Sequence, residues 1–271
     1  MNRLLPGFFN FLRKNPALVG IIGVSIALSI ITDSFLSVYN IINVFRQTSI
    51  MAIIGFGMTM VIISGGIDLS VGSVLALSAG ISASILSGGN VFMDILAAIV
   101  VGAAAGAFNG LMITKGKLQP FIVTLAMMAI ARSLTLGYME GMPISGFPDA
   151  FSFIGRGVVG GIPMPIILLF AIFVLSFYIL KKTRLGLYIY SIGGNEEATK
   201  LSGINVDKYK IYVYVISGVF AAVSGMILAG RLNSAQPTFG TGYELDAIAT
   251  LVLGGASLKG GKGTVYGTLF G

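Results

Sequence analysis

Three stretches set charged side chains inside otherwise apolar sequence. Asp68 sits in Gly65-Gly66-Ile67-Asp68-Leu69-Ser70, Arg132 interrupts the run 127–133, and Glu244 and Asp246 open a further run after Gln236-Pro237 and Gly240-x-Gly242. A charge within a membrane segment is costly unless paired or hydrated. Asp68, Ser70, Asn109 and Arg132 are therefore candidates for a pathway or gate, and Gln236, Pro237, Glu244 and Asp246 for docking or gating on the outer side. Each also has a plain structural reading. Asp68 or Ser70 suits a helix N-cap after a glycine turn. Glu244 and Asp246 suit the positive end of a helix dipole. Arg132 can pair with an acid or reach the outer face. Asn109, Thr124 and Ser217 can bond a solute's hydroxyls or one another across helices. The residues alone leave these choices open.

The chemistry available is narrow. There is no Cys and no His, which removes thiol nucleophiles, cysteine metal sites and the commonest general base. No metal site is expected. An aspartyl dyad needs facing carboxylates, but Asp68 and Asp246 fall on opposite sides in the topology below. Serine chemistry would need a Lys base, and no Ser–Lys pair falls inside a span. Residues 255–264 read Gly-Ala-Ser-Leu-Lys-Gly-Gly-Lys-Gly-Thr. A P-loop requires Gly-x-x-x-x-Gly-Lys-Ser/Thr. Here the Lys is displaced by one and a Gly takes the Ser/Thr position, so the segment reads as a turn. The chain is not expected to be an enzyme.

Membrane helices must position these residues. Of the 271 residues, 55% are hydrophobic and 10% charged, against about 25% charged in soluble chains. Mean hydropathy is +0.94. Long continuous apolar runs favour helices over the alternating strands of a barrel. The expected fold is an all-α polytopic membrane bundle, one transmembrane domain over 1–271. Spans are predicted at 17–32, 49–63, 71–87, 91–114, 121–139, 163–180 and 211–229. A shorter one follows at 245–258 and a ninth begins at 263, about eight or nine in all. The first follows Arg3, Arg13 and Lys14 but lacks a small-residue cleavage pattern, so it reads as uncleaved.

With the N-terminus inside, Arg46, Arg156 and Arg231 fall outside and Arg132 within a span. The rest of the 17 Lys and Arg fall inside, as the positive-inside rule requires. The net charge of +7 is then a topological signal, and no nucleic-acid partner is expected. Residues 263–271 make only about 13 Å of helix against a core of about 30 Å, so a C-terminal truncation is expected.

The largest polar segment is the cytoplasmic loop 181–210. Within it Asn195 is a good N-cap, Glu196 and Glu197 complement a helix dipole, and Gly203 suits the C′ position. A short exposed helix is predicted, either a capped surface helix or a docking element. Glu197-Ala198-Thr199 with Gly203 resembles the Glu-Ala-Ala-x-x-x-Gly loop of bacterial ABC importer permeases, with Thr199 in place of the usual second Ala. Residues 65–73 and 234–263 resemble signatures of the sugar-importer branch, and 193–206 is similar to its ribose-type members. The chain is identified as a member of that family from about residue 16 onward.

The resemblance implies about ten spans in a full-length chain. It implies a coupling helix of Asn195, Glu196, Glu197, Ala198, Thr199, Leu201 and Gly203 seated in a cleft of a separate ATPase subunit. ATP and Mg would be used by that partner, and no cofactor would be bound here. It further implies a sugar-binding protein delivering ribose or a related sugar at the outer face, a second permease copy as a homodimer, and residence among the lipids of the bacterial cytoplasmic membrane. Transport would proceed by alternating access. The alternative is an ion-coupled transporter or channel. Its acids would have to be Asp94 and the Asp68 region, both near span ends.

Overall fold

The computed structural model describes residues 16–85 and 90–271. Arg3, Arg13, Lys14 and the predicted end of the third span at Ser87 lie outside the described residues. The described chain runs α1 (Pro16–Ile31), α2 (Val38–Ile63), α3 (Val71–Ile85), α4 (Val91–Thr114), α5 (Pro120–Tyr138) and α6 (Asp149–Arg156). It continues through α7 (Met164–Lys182), α8 (Arg184–Gly194), α9 (Glu196–Leu201), α10 (Val206–Leu232), α11 (Tyr243–Leu253) and α12 (Val265–Phe270). Two short antiparallel ladders tie loops together: β1 (Ile144–Ser145) with β4 (Ser234–Ala235), and β2 (Val158–Val159) with β3 (Ile162–Pro163).

Among the described residues, α2, α4, α5, α7 and α10 are long and apolar enough to cross a membrane. The chain is a multi-pass helical membrane protein. The predicted span 49–63 is the inner part of α2, which starts at Val38. Asn40, Asn43, Arg46 and Gln47 lower the hydropathy of its outer half, yet Ser37 caps it, accepting from the Asn40 N–H at 3.2 Å. The polar segment 181–210 holds an additional helix, α8. Thr183 caps it and Gly186, Ile189 and Ile192 form its buried face.

Helix α10 is the centre of the bundle and packs on α2, α3, α4 and α6. Gly102, Gly106 and Gly110 form one stripe of α4. A Cβ at those positions would lie 2.3 Å from Gly218 O, 2.2 Å from Tyr214 O and 2.7 Å from Ile211 Cα. Backbone touches backbone there, the close approach that small residues permit in lipid. Gly267 and Gly271 likewise abut Gly254 O and Thr250 O of the α11 segment.

Register follows from contacts. Gly57 lies on Ser217 and the Ser224 hydroxyl donates to Ile50 O at 3.1 Å, so α2 and α10 are antiparallel. The unit of long helix, glycine break and short helix then occurs twice with opposite polarity, with Asp68 late in the first break and Glu244 in the first turn of the second short helix. The first is α2, residues 64–70 and α3; the second is α10, residues 233–242 and α11. Gly66-Ile67-Asp68-Leu69-Ser70 matches Gly242-Tyr243-Glu244-Leu245-Asp246 in pattern. Helices α3 and α11, of 15 and 11 residues, cover only about 22 and 16 Å. Both start inside the bundle and leave in opposite directions, meeting where Gly72 faces Gly240 with no room for a Cβ. The breaks supply the missing depth as irregular backbone, which a membrane tolerates only where protein buries it or it lines a cavity.

Gly106→Ala is expected to push α4 off α10 and lower stability by about 1–3 kcal/mol, seen as earlier thermal unfolding in detergent. Gly137→Ala, where nothing lies within 4 Å of the added Cβ, is expected to leave the midpoint unchanged.

Candidate functional site

The inner break starts with a helix end. Gly65 has φ +84, and the N–H groups of Gly65 and Gly66 bond back to Ile62 O and Val61 O at 3.0 Å each. This Schellman arrangement satisfies the last carbonyls of α2 and turns the chain back into the bundle. Asp68 is then only 1% exposed. Its Oδ1 accepts from the Ser70 N–H at 3.0 Å and the Ser70 hydroxyl at 2.6 Å, and its Oδ2 accepts from the Ser217 hydroxyl of α10 at 2.8 Å. Asn109 of α4 donates through Nδ2 to Ser70 Oγ at 3.0 Å. The Tyr214 hydroxyl donates to Ile67 O at 3.3 Å. Thr124 Oγ1 of α5, shared with Pro120 O at 2.9 Å, reaches the same carbonyl at 3.3 Å. Asn109, Thr124 and Ser217 thus bond across helices, and all converge on one segment. The carboxylate caps the entry to α3 and also joins it to α10.

The outer break is a loop folded inward. Asn233 ends α10 at φ +53, and its Oδ1 accepts from the Phe147 N–H and the Ser152 hydroxyl at 3.1 Å each. Beyond β4 the chain dips into the bundle, burying Pro237, Phe239 and Gly240. Arg132 neither extends to the outer face nor forms an ion pair among the described residues. Its Nη1 donates to Pro237 O and, at 2.9 Å, to Phe239 O, and Glu244 is near enough to attract it. Gln236 is half-buried, while Thr238, Thr241 and Asp246 are exposed. Pro237 is buried, and its carbonyl serves the Arg132 clamp.

The third region lies at the inner end. Asn195 caps α9, accepting from the Ala198 N–H at 2.9 Å, and Gly203 follows the helix at φ +82. Thr199 is the buried residue of α9, and its hydroxyl donates to Asn195 O at 2.7 Å. Glu196, Glu197 and Ala198 are exposed, and Leu201 is 89% exposed. Asn195 alone separates α9 from α8, whose adjoining C-terminal end is locked to the membrane part. The Gly261 N–H donates to Ile63 O at 2.8 Å, and Tyr190 of α8 donates to Gly263 O at 2.7 Å. A Cβ at Gly193 would lie 1.7 Å from Ile63 O. Residues 255–264 are therefore a turn pinned between α8 and the end of α2. No group of three or more metal-ligating side chains occurs among the described residues.

Two opposed broken helices above an exposed capped helix have the construction of a transport permease, whose discontinuous helices meet within the membrane. The chain belongs to the family described as branched-chain amino acid transport system / permease component, which matches residues 40–271. It is 49% identical over 266 residues to the ribose import permease protein of Haemophilus influenzae, covering 96% of this chain and 82% of that protein. To the ribose import permease protein of Bacillus subtilis it is 48% identical over 270 residues, 97% and 83% of the two chains. It is 37% identical over 246 residues to the D-allose transport system permease protein of Escherichia coli, 90% and 75% of the two. No solved structure matches it. As a permease component it is a transport subunit and not an enzyme.

Sequence reasoning did not identify Gly72, Tyr190, Gly193 or Gly240. A signal for Gly72 and Gly240 was present in the two related breaks, because a repeated Gly-x-acid-Leu pattern marks corresponding points of two halves. Tyr190 and Gly193 carry no such mark. Ser217→Ala and Asp68→Ala are each expected to destabilise the protein. In a double-mutant cycle they should couple by about 0.5–3 kcal/mol, whereas independent sites would add.

Proposed function

We propose that this chain is the membrane-spanning permease subunit of an ATP-binding-cassette importer for ribose or a closely related sugar. The observation that carries the coupling role is α9: a capped helix that leaves an apolar side chain, Leu201, 89% exposed. An exposed Leu at the tip of a polar helix suits an anchor in a partner's pocket. The partner is a separate ATPase subunit that uses ATP and Mg, and Asn195, Glu196, Glu197, Ala198, Thr199, Leu201 and Gly203 form the element it holds. Near 50% identity to two ribose import permeases along almost the whole chain supports the substrate. The permease sits in the bacterial cytoplasmic membrane, N-terminus inside, with α1, α3, α11 and α12 completing eight or nine crossings beside the five long helices. It works as a homodimer.

Transport is alternating access. The ATPase moves α9, and α8 carries that displacement through Gly193 and Tyr190 to the end of α2 and the turn at Gly261. From there it reaches the inner break, and the Gly72–Gly240 contact links that break to the outer loop. Arg132 latches the outer loop while the outer side is closed. A sugar-binding protein delivers its cargo at the outer face, where Gln236, Thr238, Thr241 and Asp246 are accessible. Asp68, Ser70 and Asn109 keep the inner break in register as it moves, and Glu244 stands at the matching point of the outer one.

Leu201→Asp is expected to release the ATPase subunit and reduce uptake of labelled ribose by the reconstituted complex to background. Gly193→Ala is expected to keep the ATPase bound and hydrolysing while uptake falls. Uptake driven by an ion gradient without ATP would overturn the proposal. Competition by unlabelled allose and xylose against labelled ribose ranks the sugars.

A further inference from the structure

The inner ends of α4, α5, α9 and α10 line an open hollow of about 400 Å³ that the coupling route does not use. Lys117, Lys200, Lys210, Gln119, Glu196 and Asp207 supply its polar lining. Both acids are already engaged: Glu196 Oε2 lies 2.6 Å from Lys210 Nζ, and Asp207 Oδ2 lies 2.9 Å from Lys115 Nζ. Among the described residues no carboxylate pairs with Lys117 or Lys200. Lys208 lines an adjoining hollow with Lys115, so the region as a whole carries surplus positive charge.

Two further observations narrow the ligand. Lys117 is held at φ +52, a left-handed conformation that a residue with a side chain adopts at a cost and that clusters at ligand sites. Helix α5 opens on this cavity through Gln119 and Pro120 with no side-chain cap, so the positive end of its dipole is unanswered. Beside the cavity stand Leu118, Phe121 and Ile122, which are 48%, 52% and 55% exposed. Cations next to an uncapped helix N-terminus call for an anion with several oxygens. An apolar rim at the inner ends of membrane helices calls for that anion to carry hydrocarbon.

We propose that this cavity is a phosphate-binding site filled by the headgroup of an anionic phospholipid from the inner leaflet, its acyl chains lying along Leu118, Phe121 and Ile122. The proposal rests on the inward placement of α9 argued above. Lys200 and Glu196 belong to α9, so an occupied site braces the base of the coupling helix against α5.

The test uses the complete complex with its ATPase subunit, purified from vesicles of phosphatidylcholine doped with phosphatidylglycerol. Retained phospholipid is counted by native mass spectrometry, and transport plays no part in the readout, so a failed ribose assay leaves the result standing. The wild-type complex is expected to retain phosphatidylglycerol over phosphatidylcholine. Lys117→Gln and Lys200→Gln are each expected to weaken that retention about fivefold, and Lys117→Arg to preserve it. Equal retention in the Gln variants would overturn the proposal. So would displacement of the lipid by millimolar inorganic phosphate, which would make the occupant a soluble anion. Loss of the ATPase subunit from the Gln variants with lipid retained would assign the lysines to the protein partner instead.

Discussion

A helix that stops part-way through a membrane leaves backbone donors and acceptors where no water can serve them, at several kcal/mol for each orphan. The cluster around Asp68 meets that constraint, and the rest of the bundle is arranged about it. One carboxylate takes three donors from two segments, Ser70 passes the network to Asn109, and Tyr214 and Thr124 take up the carbonyl of Ile67. Helices α3, α4, α5 and α10 are thereby held at one depth. Remove the carboxylate and the break has no hub.

The same economy governs the glycine contacts. Where Gly72 meets Gly240, Gly106 meets Tyr214 and Gly193 meets Ile63, a Cβ would enter a neighbour's backbone. Interfaces of this kind have no side chain to yield, so displacement of one element is transmitted to the next. That property suits the route proposed above from α9 to the loop at 236–242. The clamp of Arg132 on two loop carbonyls is different in kind. Hydrogen bonds to carbonyls can be remade at little net cost, which suits the latch proposed for it.

The helical membrane class and the capped helix at 195–203 were legible in the sequence. Each depends on local composition or on spacing within one element: apolar runs, an Asn followed by two Glu. The outer half of α2 was not legible, because Asn40, Asn43, Arg46 and Gln47 look like a loop until their neighbours are known. Helix α8 was hidden for a similar reason, its short buried face lying in a basic segment.

The sequence by itself determined that the chain is a bundle of membrane helices with glycine turns shortly before Asp68 and Glu244, since hydropathy, turn propensity and capping act over a few residues. Only the tertiary structure decided what the polar residues in those helices do. Asn109, Thr124 and Ser217 could have served a solute or each other, and their meeting at residues 67–70 comes from helices far apart in the chain. Likewise, Arg132 had an acid or the outer face open to it in the sequence, and it took neither. The inward fold of the loop at Pro237 and Phe239 supplied the carbonyls, because a half-buried guanidinium bonds the acceptors the packing brings within reach.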